Sequence, residues 1–296
     1  MEVPGFLIER SRQIDEALDR LLPAADQMPA SIHQAMRYSI FAGGKRLRPA
    51  LCLEAGRLSA AEEPELLPVA CALEMLHTYS LVHDDLPALD NDDLRRGQPT
   101  VHKKFSEAIA ILAGDALLTR AFQVLSGVDG THPYSERRLT AMREIACAIG
   151  TVNGMIGGQV ADLEAEGEKV SAELLHYIHS SKTGALIRAS LRAGAVMGNA
   201  SETRIRALTA YGTRIGLAFQ IVDDILDRVS SAEVLGKTPG KDRSKRKATY
   251  PAMFGLEESR RRARELMDEA LRALREFGPE ADHLRELGRF FVERAA

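Results

Sequence analysis

The sequence predicts an all-α fold in which roughly ten or more helices form one domain over residues 1–296. Apolar residues recur at helical spacing along most of the chain, as Ile14, Leu18 and Leu22 do near its start. Runs of alternating β-branched residues bounded by turn residues are nearly absent, which disfavours strands. No proline- and serine-rich linker and no shift in composition divides the chain, so we expect a single domain.

The helical periodicity continues from one break to the next. A second apolar stripe covers residues 66–81, and further helices are predicted over 109–125, 139–155, 174–197, 205–226 and 257–277. Breaks are predicted where glycine, proline and charged residues gather, at 43–44, 97–99, 127–133, 164–169 and 235–249. This succession of long helices and shorter connections is typical of a helical bundle.

Composition and charge restrict the possible functions. With 39 basic and 42 acidic residues the net charge is −3, so no basic field draws the chain to nucleic acid. The three cysteines, at 52, 71 and 147, are isolated, which fits neither a disulfide framework nor a zinc site and suits a reducing cytoplasm. No secretory pattern opens the sequence, and the longest uncharged apolar stretch, near 108–114, is too short to span a membrane. We therefore expect a cytoplasmic protein without a membrane span or a nucleic-acid partner.

Two clusters of aspartates follow apolar helices. In the later cluster, Asp223 and Asp227 are four residues apart, so their carboxylates share one helix face, whereas Asp224 points about 100° away. In the earlier cluster, the aspartate pair at 84–85 is soon followed by a proline, which pushes the residue before it out of the α region. That helix is therefore predicted to end just before the proline, leaving the acidic run at 90–93 on the loop beyond it.

Such a concentration of carboxylates requires full solvation or a compensating charge. Carboxylates about 4 Å apart repel each other by about 4 kcal/mol at an effective dielectric constant of about 20. Oxygen ligands without clustered histidine or cysteine favour a hard ion such as Mg²⁺, which takes one or two carboxylates and completes its shell with water and substrate phosphates. The alternative, aspartates that are solvated or that cap the next helix, explains one such cluster better than two.

Basic residues close to these clusters predict an anion site. The segment 43–49, GGKRLRP, places Lys45 and Arg48 beside the start of a helix that its proline can open. Backbone N–H groups at a helix start bind anions, and neighbouring cations strengthen that binding. Arg95 and Arg96 directly follow the first acidic cluster. A polyanion bridged by metal on one side and clamped by guanidinium groups on the other explains both features, and a solvated basic turn is the alternative.

Histidines contribute less to the prediction. His77, Ser80 and Asp84 are spaced i, i+3 and i+7, so they form one stripe along the same helix. Three further histidines are predicted to be surface residues or ordinary hydrogen-bonding residues, at 102, 176 and 179.

Together these motifs resemble one family. The segment 83–97, HDDLPALDNDDLRRG, is similar to the first aspartate-rich motif of short-chain trans-polyprenyl diphosphate synthases, in the bacterial form with two extra residues between the aspartates. Four further segments match that family in order: GKRLRP (44–49), KTG (182–184), FQIVDDILD (219–227) and TYP (249–251). The resemblance extends over nearly the whole chain.

The resemblance implies the isoprenoid synthase fold, a bundle of helices around a deep central cavity, assembled as a homodimer. It implies about three Mg²⁺ ions, replaceable by Mn²⁺, that hold an allylic diphosphate when substrate is bound. The metal ligands would be Asp84, Asp90 and Asp223, assisted directly or through water by Asp85, Asp224 and Asp227.

The same resemblance assigns roles to the cationic and polar residues. The allylic diphosphate would also contact Arg95, Lys182 and Lys237. The diphosphate of isopentenyl diphosphate would be held without metal by Lys45, Arg48, His77 and Arg96. The residues beside the developing allylic cation would be Thr183 and Gln220, which complete a catalytic set with Lys182, Asp84 and Asp223.

The implied reaction is ionisation, condensation and elimination, joining isopentenyl diphosphate head-to-tail to dimethylallyl or geranyl diphosphate. In this family the residues four and five positions before the aspartate motif limit product length, and here they are Ser80 and Tyr79. A tyrosine at that position resembles the bacterial farnesyl diphosphate synthases and predicts C15 farnesyl diphosphate as the main product. The alternative for Tyr79 is ordinary core packing.

Three other interpretations remain open at the level of sequence. The nearest is a synthase of the same family that makes geranyl or geranylgeranyl diphosphate. A metal phosphohydrolase of the HD type is suggested by His83 and Asp84 together with His33 and His77, but it leaves the aspartates at 223–227 and the GGKRLRP segment unexplained. The third, a noncatalytic subunit that retains the fold, is disfavoured by the intact aspartate and arginine motifs.

Overall fold

Helices account for nearly all regular structure in the computed structural model, which describes residues 3–127, 136–229 and 248–293. The first half of the chain forms α1 (Gly5–Leu21), α2 (Ala30–Phe41), α3 (Leu47–Leu58), α4 (Glu63–Asp84), α5 (Val101–Lys104), α6 (Glu107–Ser126) and α7 (Glu136–Ile149). The second half forms α8 (Met155–Glu164), α9 (Ala172–Ile178), α10 (Ala185–Met197), α11 (Glu202–Val229), α12 (Tyr250–Phe254), α13 (Leu256–Ala273) and α14 (Asp282–Glu293). The predicted all-α fold is confirmed.

The helices pack around two apolar cores. One core surrounds α4, which packs against α3 and α6 and is buried along most of its length because apolar residues cover it on all sides. The other surrounds α11, which packs against α10, α13 and α14. Helix α10 packs against both α3 and α11 and so connects the two cores. The C-terminal end of α4 and the C-terminal half of α11 border one cavity.

The helix predicted over 139–155 is confirmed as far as Ile149, where α7 ends, and its last residue, Met155, begins the separate helix α8. The segment between them turns sharply: Asn153 has a φ of 53°, and a Cβ on Gly154 would lie 2.7 Å from the carbonyl oxygen of Cys147. Only glycine can follow that path, since real Cβ atoms do not approach carbonyl oxygens so closely. After this turn α8 runs as a separate helix, and its polar residues Gln159 and Asp162 line the cavity.

Two further local features of the structure were not predicted from the apolar periodicity of the sequence. Residues 94–99 form a short hairpin in which β1 (Leu94–Arg95) pairs antiparallel with β2 (Gln98–Pro99), joined by Arg96 and Gly97 at φ values of 53° and 74°. Positive φ at both turn residues is typical of the tightest hairpins, and two-residue strands carry no detectable alternation. The predicted helix over 174–197 contains a π-helical stretch, His179–Gly184, between α9 and α10.

In the described part of the chain, α6 alone is long and apolar enough to cross a membrane by length and composition. This helix is longer than the uncharged apolar stretch near 108–114, from which no membrane span was predicted. In the fold α6 packs along α4, with Leu117, Ala121 and Leu125 fully buried. Core helices of globular proteins have the same composition, so this property by itself does not define a membrane segment.

Candidate active site

A cavity of about 590 Å³ lies between the end of α4, α8, the π-helical stretch and α11. It brings both predicted aspartate clusters together, because Asp84 and Asp90 line it from one side and Asp223 and Asp227 from the other. These residues are far apart in sequence, and their predicted convergence depends on the packing of α4 and α11 around one space. The cavity is therefore the candidate active site.

The loop after α4 positions the first cluster. Helix α4 ends at Asp84, as the following proline predicts, and the chain then turns back so that the N–H of Asp90 donates to the carbonyl of Asp84 at 2.8 Å. Asn91 adopts a φ of 51°, a conformation that asparagine tolerates better than most residues. This backbone hydrogen bond ties the two aspartates to one rigid turn at the cavity edge.

Asp85 points away from this edge and pairs with Arg95. Arg95 Nε donates to Asp85 Oδ1 at 2.7 Å, and its Nη2 donates to the same oxygen at 2.5 Å. Burial raises the pKa of Asp85 to about 6, against the opposing effect of the Arg95 guanidinium. Arg95 lines the cavity whereas Asp85 does not, so the structure makes Asp85 the partner that orients an arginine toward the cavity.

Asp224 connects the second cluster to two other elements. Its carboxylate accepts from Gln220 Nε2 at 3.0 Å and from the backbone N–H of Tyr250 at 2.8 Å, and it lies 3.3 Å from His179 Nε2. Gln220 in turn accepts from the hydroxyl of Thr183 at 2.8 Å. The result is a continuous hydrogen-bonded chain from the π-helical stretch through α11 to the start of α12.

The π-helical stretch presents Lys182 and Thr183 to the cavity. A π turn widens the helix by one residue, and such turns are frequent at functional sites. Lys182 Nζ donates to Asp162 Oδ2 of α8 at 2.7 Å. The lysine and threonine of the predicted KTG motif thus converge with Gln220 and with the aspartates of α11.

Two arginines, Arg48 and Arg96, line another part of the cavity together with His77, and we call this part the cation wall. The Arg96 guanidinium lies against Gly44, where an added Cβ would come within 2.6 Å of Arg96 Nη1, and the φ of 132° at Gly44 favours glycine at this position. Burial lowers the pKa of Arg48 to about 10. The pKa of His77 is held well below its usual range by burial and by the neighbouring charges of Arg48 and Arg96. Within the described ranges, neither Arg48 nor Arg96 forms an ion pair.

The two other basic residues of the GGKRLRP segment, Lys45 and Arg46, do not line the cavity. Arg46 is buried and donates to Glu74 at 2.8 Å and to Asp15 at 2.7 Å. Lys45 does not line the cavity and instead lies 4.8 Å above the ring of Phe290. Lys237, predicted to contact the allylic diphosphate, lies outside the described residues, as does the basic segment around it.

The predicted chain-length residues also line the cavity. Tyr79 is buried, and its hydroxyl has no hydrogen-bond partner. Burial and the charge of Asp84 raise the pKa of Tyr79 to about 12, so the phenol stays protonated. Ser80 donates to the carbonyl of His77 within its own helix at 2.8 Å.

In the part of the chain that the structure describes, buried polar atoms without a hydrogen-bond partner concentrate at this cavity. Four such atoms belong to residues that line it: Arg48 Nε, Tyr79 Oη, Gln159 Oε1 and His179 Nδ1. Buried polar groups are normally hydrogen-bonded, so a cluster of unpartnered ones indicates a place that receives a ligand or water. These atoms indicate that the cation wall, α8 and the π-helical stretch contribute to the same polar site.

Sequence analysis missed the contributions of α8 and of one histidine. Gln159 and Asp162 line the cavity from α8, which begins as a separate helix. In the sequence, only their spacing of three residues indicated that they share one helix face. The prediction that His102 and His179 are surface or ordinarily bonded residues is wrong in part. Both are buried and each keeps one ring nitrogen without a partner, whereas His176 is exposed.

Two observations bear on metal binding and on the phosphohydrolase alternative. In residues 3–127, 136–229 and 248–293, no three histidine, cysteine, aspartate or glutamate side chains are grouped closely enough to hold a metal ion by themselves. A phosphohydrolase site of the HD type requires several histidines around one metal, and His33 does not line the cavity that contains His77 and Asp84. The arrangement disfavours that alternative.

Comparison with known proteins identifies the family. Residues 29–286 match the family model described as polyprenyl synthetase, so this chain belongs to the polyprenyl synthetase family and is a polyprenyl transferase, as the motifs predicted. The chain is 45% identical over 293 residues to a dimethylallyltranstransferase of Fischerella ambigua, covering 99% of this chain and 84% of the relative. It is 48% identical over 256 residues to the farnesyl diphosphate synthase of Geobacillus stearothermophilus, covering 86% of each. It is 43% identical over 290 residues to a geranylgeranyl diphosphate synthase of Cyanophora paradoxa, covering 98% of this chain and 95% of the relative.

Solved structures agree with this assignment. A farnesyl/geranylfarnesyl diphosphate synthase of Zymomonas mobilis superimposes with a TM-score of 0.86 at 40% identity, covering 97% of both chains. A geranyltransferase of Helicobacter pylori, solved with magnesium and isoprenyl diphosphate, superimposes with a TM-score of 0.85 at 32% identity, covering 99% of this chain and 98% of the other. The family uses isopentenyl and allylic diphosphates, and its members differ in the length of the product.

Proposed function

We propose that this protein is a farnesyl diphosphate synthase, which joins isopentenyl diphosphate to dimethylallyl or geranyl diphosphate and releases mainly the C15 product. The observation that carries the proposal is the arrangement of the cavity. Two aspartate clusters face it at one part, two arginines without an ion pair among the described residues line another, and a buried tyrosine lies on α4 one turn before the first aspartate motif. Two diphosphates and one growing hydrocarbon chain need three such surfaces.

The allylic diphosphate is assigned to the aspartate side. Asp84, Asp90 and Asp223, assisted by Asp224 and Asp227, would hold Mg²⁺, with Asp85 acting through Arg95. Their all-oxygen donor set fits Mg²⁺, and the lack of a complete protein-only ligand group in the described residues agrees with an ion that completes its shell with diphosphate oxygens. When bound, Mg²⁺ supplies electrostatic stabilisation of the departing diphosphate. Lys182 and Arg95 add positive charge on the same side, where negative charge develops in the transition state.

Isopentenyl diphosphate is assigned to the cation wall. Arg48 and Arg96 have no ion pair to give up among the described residues, so a diphosphate gains two charge-assisted contacts without displacing a carboxylate. The low pKa of His77 keeps its ring neutral, so it can donate one N–H and does not add to the repulsion between the two arginines. Lys45, on the ring of Phe290, would join only at the edge of this site.

Residues between the two diphosphate sites protect the allylic cation. The oxygens of Thr183 and Gln220 lie on the cavity wall and are fixed by their mutual hydrogen bond and by Asp224. Fixed dipoles of this kind stabilise a developing positive charge better than mobile water does. Apolar residues on α8, such as Met155 and Leu163, line the same space and keep water from capturing the cation. The released diphosphate then takes the proton that is lost.

Assembly as a homodimer and a cytoplasmic location complete the proposal. Apolar side chains are exposed on α6, at Ile111 and Leu112, and a second copy would cover such a surface. All three cysteines are free, which suits a reducing compartment. Light scattering on the purified protein would measure twice the monomer mass if the dimer forms, and the monomer mass would contradict it.

The decisive experiment is a product assay. Purified protein is incubated with Mg²⁺, isopentenyl diphosphate and either dimethylallyl, geranyl or farnesyl diphosphate, and the dephosphorylated products are separated by chain length. We expect C15 from the two shorter primers and little product from farnesyl diphosphate. The variant Asp223→Asn, with an unchanged melting temperature, should lose activity. Phosphate release without a new carbon–carbon bond would overturn the proposal.

A geranylgeranyl diphosphate synthase is the second candidate. It is favoured by relatives named geranylgeranyl diphosphate or pyrophosphate synthase, whose identities of 43–48% reach the 48% of the farnesyl diphosphate synthase relative. The same assay separates the two functions, because a C20 synthase extends farnesyl diphosphate efficiently.

A further inference from the structure

We propose that His83 is a positioning residue for product length, because it holds the ring of Tyr79 in the cavity wall. The inference rests on the proposed function, in which Tyr79 limits the space open to the growing chain. His83 and Tyr79 are four residues apart on α4, so their side chains lie on the same helix face. Both line the cavity.

The two rings are in direct contact. Their centroids are 5.9 Å apart and their planes are inclined by 81°, an edge-to-face arrangement that aromatic pairs prefer. The hydroxyl of Tyr79 is buried and has no hydrogen-bond partner among the described residues. Because no polar contact anchors the phenol, the ring is held by packing, and His83 supplies the aromatic part of that packing.

Helix α6 fixes His83 in turn. The Nε2 atom of His83 lies 3.0 Å from the carbonyl oxygen of Ile111, and a carbonyl can only accept, so this nitrogen carries the proton. A second acceptor, Asp115 Oδ1, lies 3.9 Å from the same nitrogen. The imidazole therefore cannot turn without losing a hydrogen bond to the main chain of a neighbouring helix.

Space for the imidazole depends on Gly114. A Cβ added at Gly114 would overlap the ring of His83 at its Nε2 and Cδ2 atoms. Gly114 lies in the interior of α6, where glycine is less favourable than alanine, and the structure offers this close approach as its reason. The contacts thus run from Gly114 to His83, from His83 to Tyr79, and from Tyr79 to the cavity.

This arrangement predicts that His83 affects product length without contacting the diphosphates. Removing the imidazole leaves the Tyr79 ring free to turn into the vacated volume, which deepens the cavity. A deeper cavity accepts one more five-carbon unit. His83→Ala should therefore raise the ratio of C20 to C15 product about tenfold, the size of effect that pocket shape exerts on apolar substrates.

The test compares His83→Ala, His83→Phe, Tyr79→Ala and the double variant His83→Ala/Tyr79→Ala, with His33→Ala as a matched control. His33 also places a ring nitrogen near a carbonyl, that of Gln27 at 2.9 Å, but it does not line the cavity. The readout is the C20 to C15 ratio at fixed substrate concentrations, which does not depend on the fraction of active enzyme. His83→Phe keeps a ring against Tyr79 and should retain C15, and His33→Ala should match the parent.

The double variant separates positioning from a direct effect. If His83 acts through Tyr79, adding His83→Ala to Tyr79→Ala leaves the ratio unchanged, which supports the inference. If Tyr79→Ala shifts the ratio and His83→Ala does not, the inference is overturned while the proposed function stands. Equal and additive shifts from the two single variants would overturn it as well. If the parent enzyme forms no prenyl product, the proposed function and the inference both fail.

Discussion

The ammonium group of Lys182 lies 2.7 Å from Asp162 Oδ2, which joins the π-helical stretch to α8. The two elements also touch at the backbone, because a Cβ on Gly158 would overlap the main chain of Lys182. Gly158 and Asp162 are four residues apart and share one face of α8. This face of α8 therefore contacts the main chain of Lys182 through Gly158 and its side chain through Asp162.

This relationship predicts that Asp162 positions Lys182 for the allylic diphosphate. Replacing Asp162 by alanine removes a charge-assisted hydrogen bond worth about 1.5–3 kcal/mol, so kcat/KM for the allylic substrate should fall by about tenfold or more. Asp162→Asn keeps an acceptor oxygen and should retain more activity than Asp162→Ala. Steady-state kinetics with each substrate varied in turn would show KM for isopentenyl diphosphate unchanged.

A double-mutant cycle provides the control for this prediction. If Asp162 acts through Lys182, the losses caused by Asp162→Ala and Lys182→Ala should not add when the two are combined. Strict additivity would show that Asp162 does not act through Lys182.

We expect the buried ion pair between Arg46 and Glu74 to contribute strongly to the stability of the protein. Both side chains are 2% exposed, and Arg46 adopts a φ of 48° at the start of α3. Arg46→Met removes the direct ion-pair partner of the buried Glu74 carboxylate, so the free energy of unfolding should fall by about 3–5 kcal/mol in urea denaturation. The double variant Arg46→Met/Glu74→Leu should recover part of that loss.

An exposed pair of the same type serves as the control. Arg206 and Glu202 are spaced i, i+4 on α11 and are 66% and 89% exposed, so Arg206→Met should change the free energy of unfolding by about 0.5 kcal/mol or less. Equal effects at Arg46 and Arg206 would contradict the structural role of the buried pair.

The phenol of Tyr79 predicts different results for two substitutions. Tyr79→Phe removes only a hydroxyl that has no partner, so C15 should remain the main product and the protein should gain about 1 kcal/mol of stability. Tyr79→Ala removes the ring and should shift the products toward C20. Product analysis and thermal unfolding of both variants test this, and an unchanged product spectrum in Tyr79→Ala would remove Tyr79 from chain-length control.

Glu54 predicts how stability depends on pH. Its carboxylate is fully buried between Arg10, Arg57 and His283. Burial opposes its ionisation, but these partners outweigh burial and hold the pKa of Glu54 below its ordinary value. Because the folded-state pKa is below the unfolded-state value, the stabilisation is fully present above pH 4.5, the ordinary value for glutamate. It is lost as the pH falls toward the folded-state pKa.

The measurement is the free energy of unfolding between neutral and acidic pH. The parent protein should lose stability on acidification more steeply than Glu54→Gln, which cannot ionise. Glu202→Gln, at an 89% exposed position, should follow the parent curve. Parallel curves for the parent and Glu54→Gln would show that this carboxylate does not contribute to the acid sensitivity.

The sequence predicted features that depend on short contiguous segments. A proline at 87 ends α4 near Asp84, and the glycines and proline of 43–49 mark the start of α3. Apolar periodicity identified the long helices because a buried helix face repeats every turn. The motifs around Asp84 and Asp223 indicated the family, because each motif is one short contiguous segment whose residue spacing can be read directly from the sequence.

Tertiary structure alone decided which side chains meet. Asp85 pairs with Arg95, Lys45 lies on Phe290, and Asp162 holds Lys182, although none of these partners follows from a repeating pattern. The need for glycine at 114 and 158 also follows only from the tertiary structure, in which Gly114 lies against His83 and Gly158 against the main chain of Lys182. The physical reason is that periodicity reports which face of a helix is buried, whereas the choice of partner depends on how separate helices cross in space.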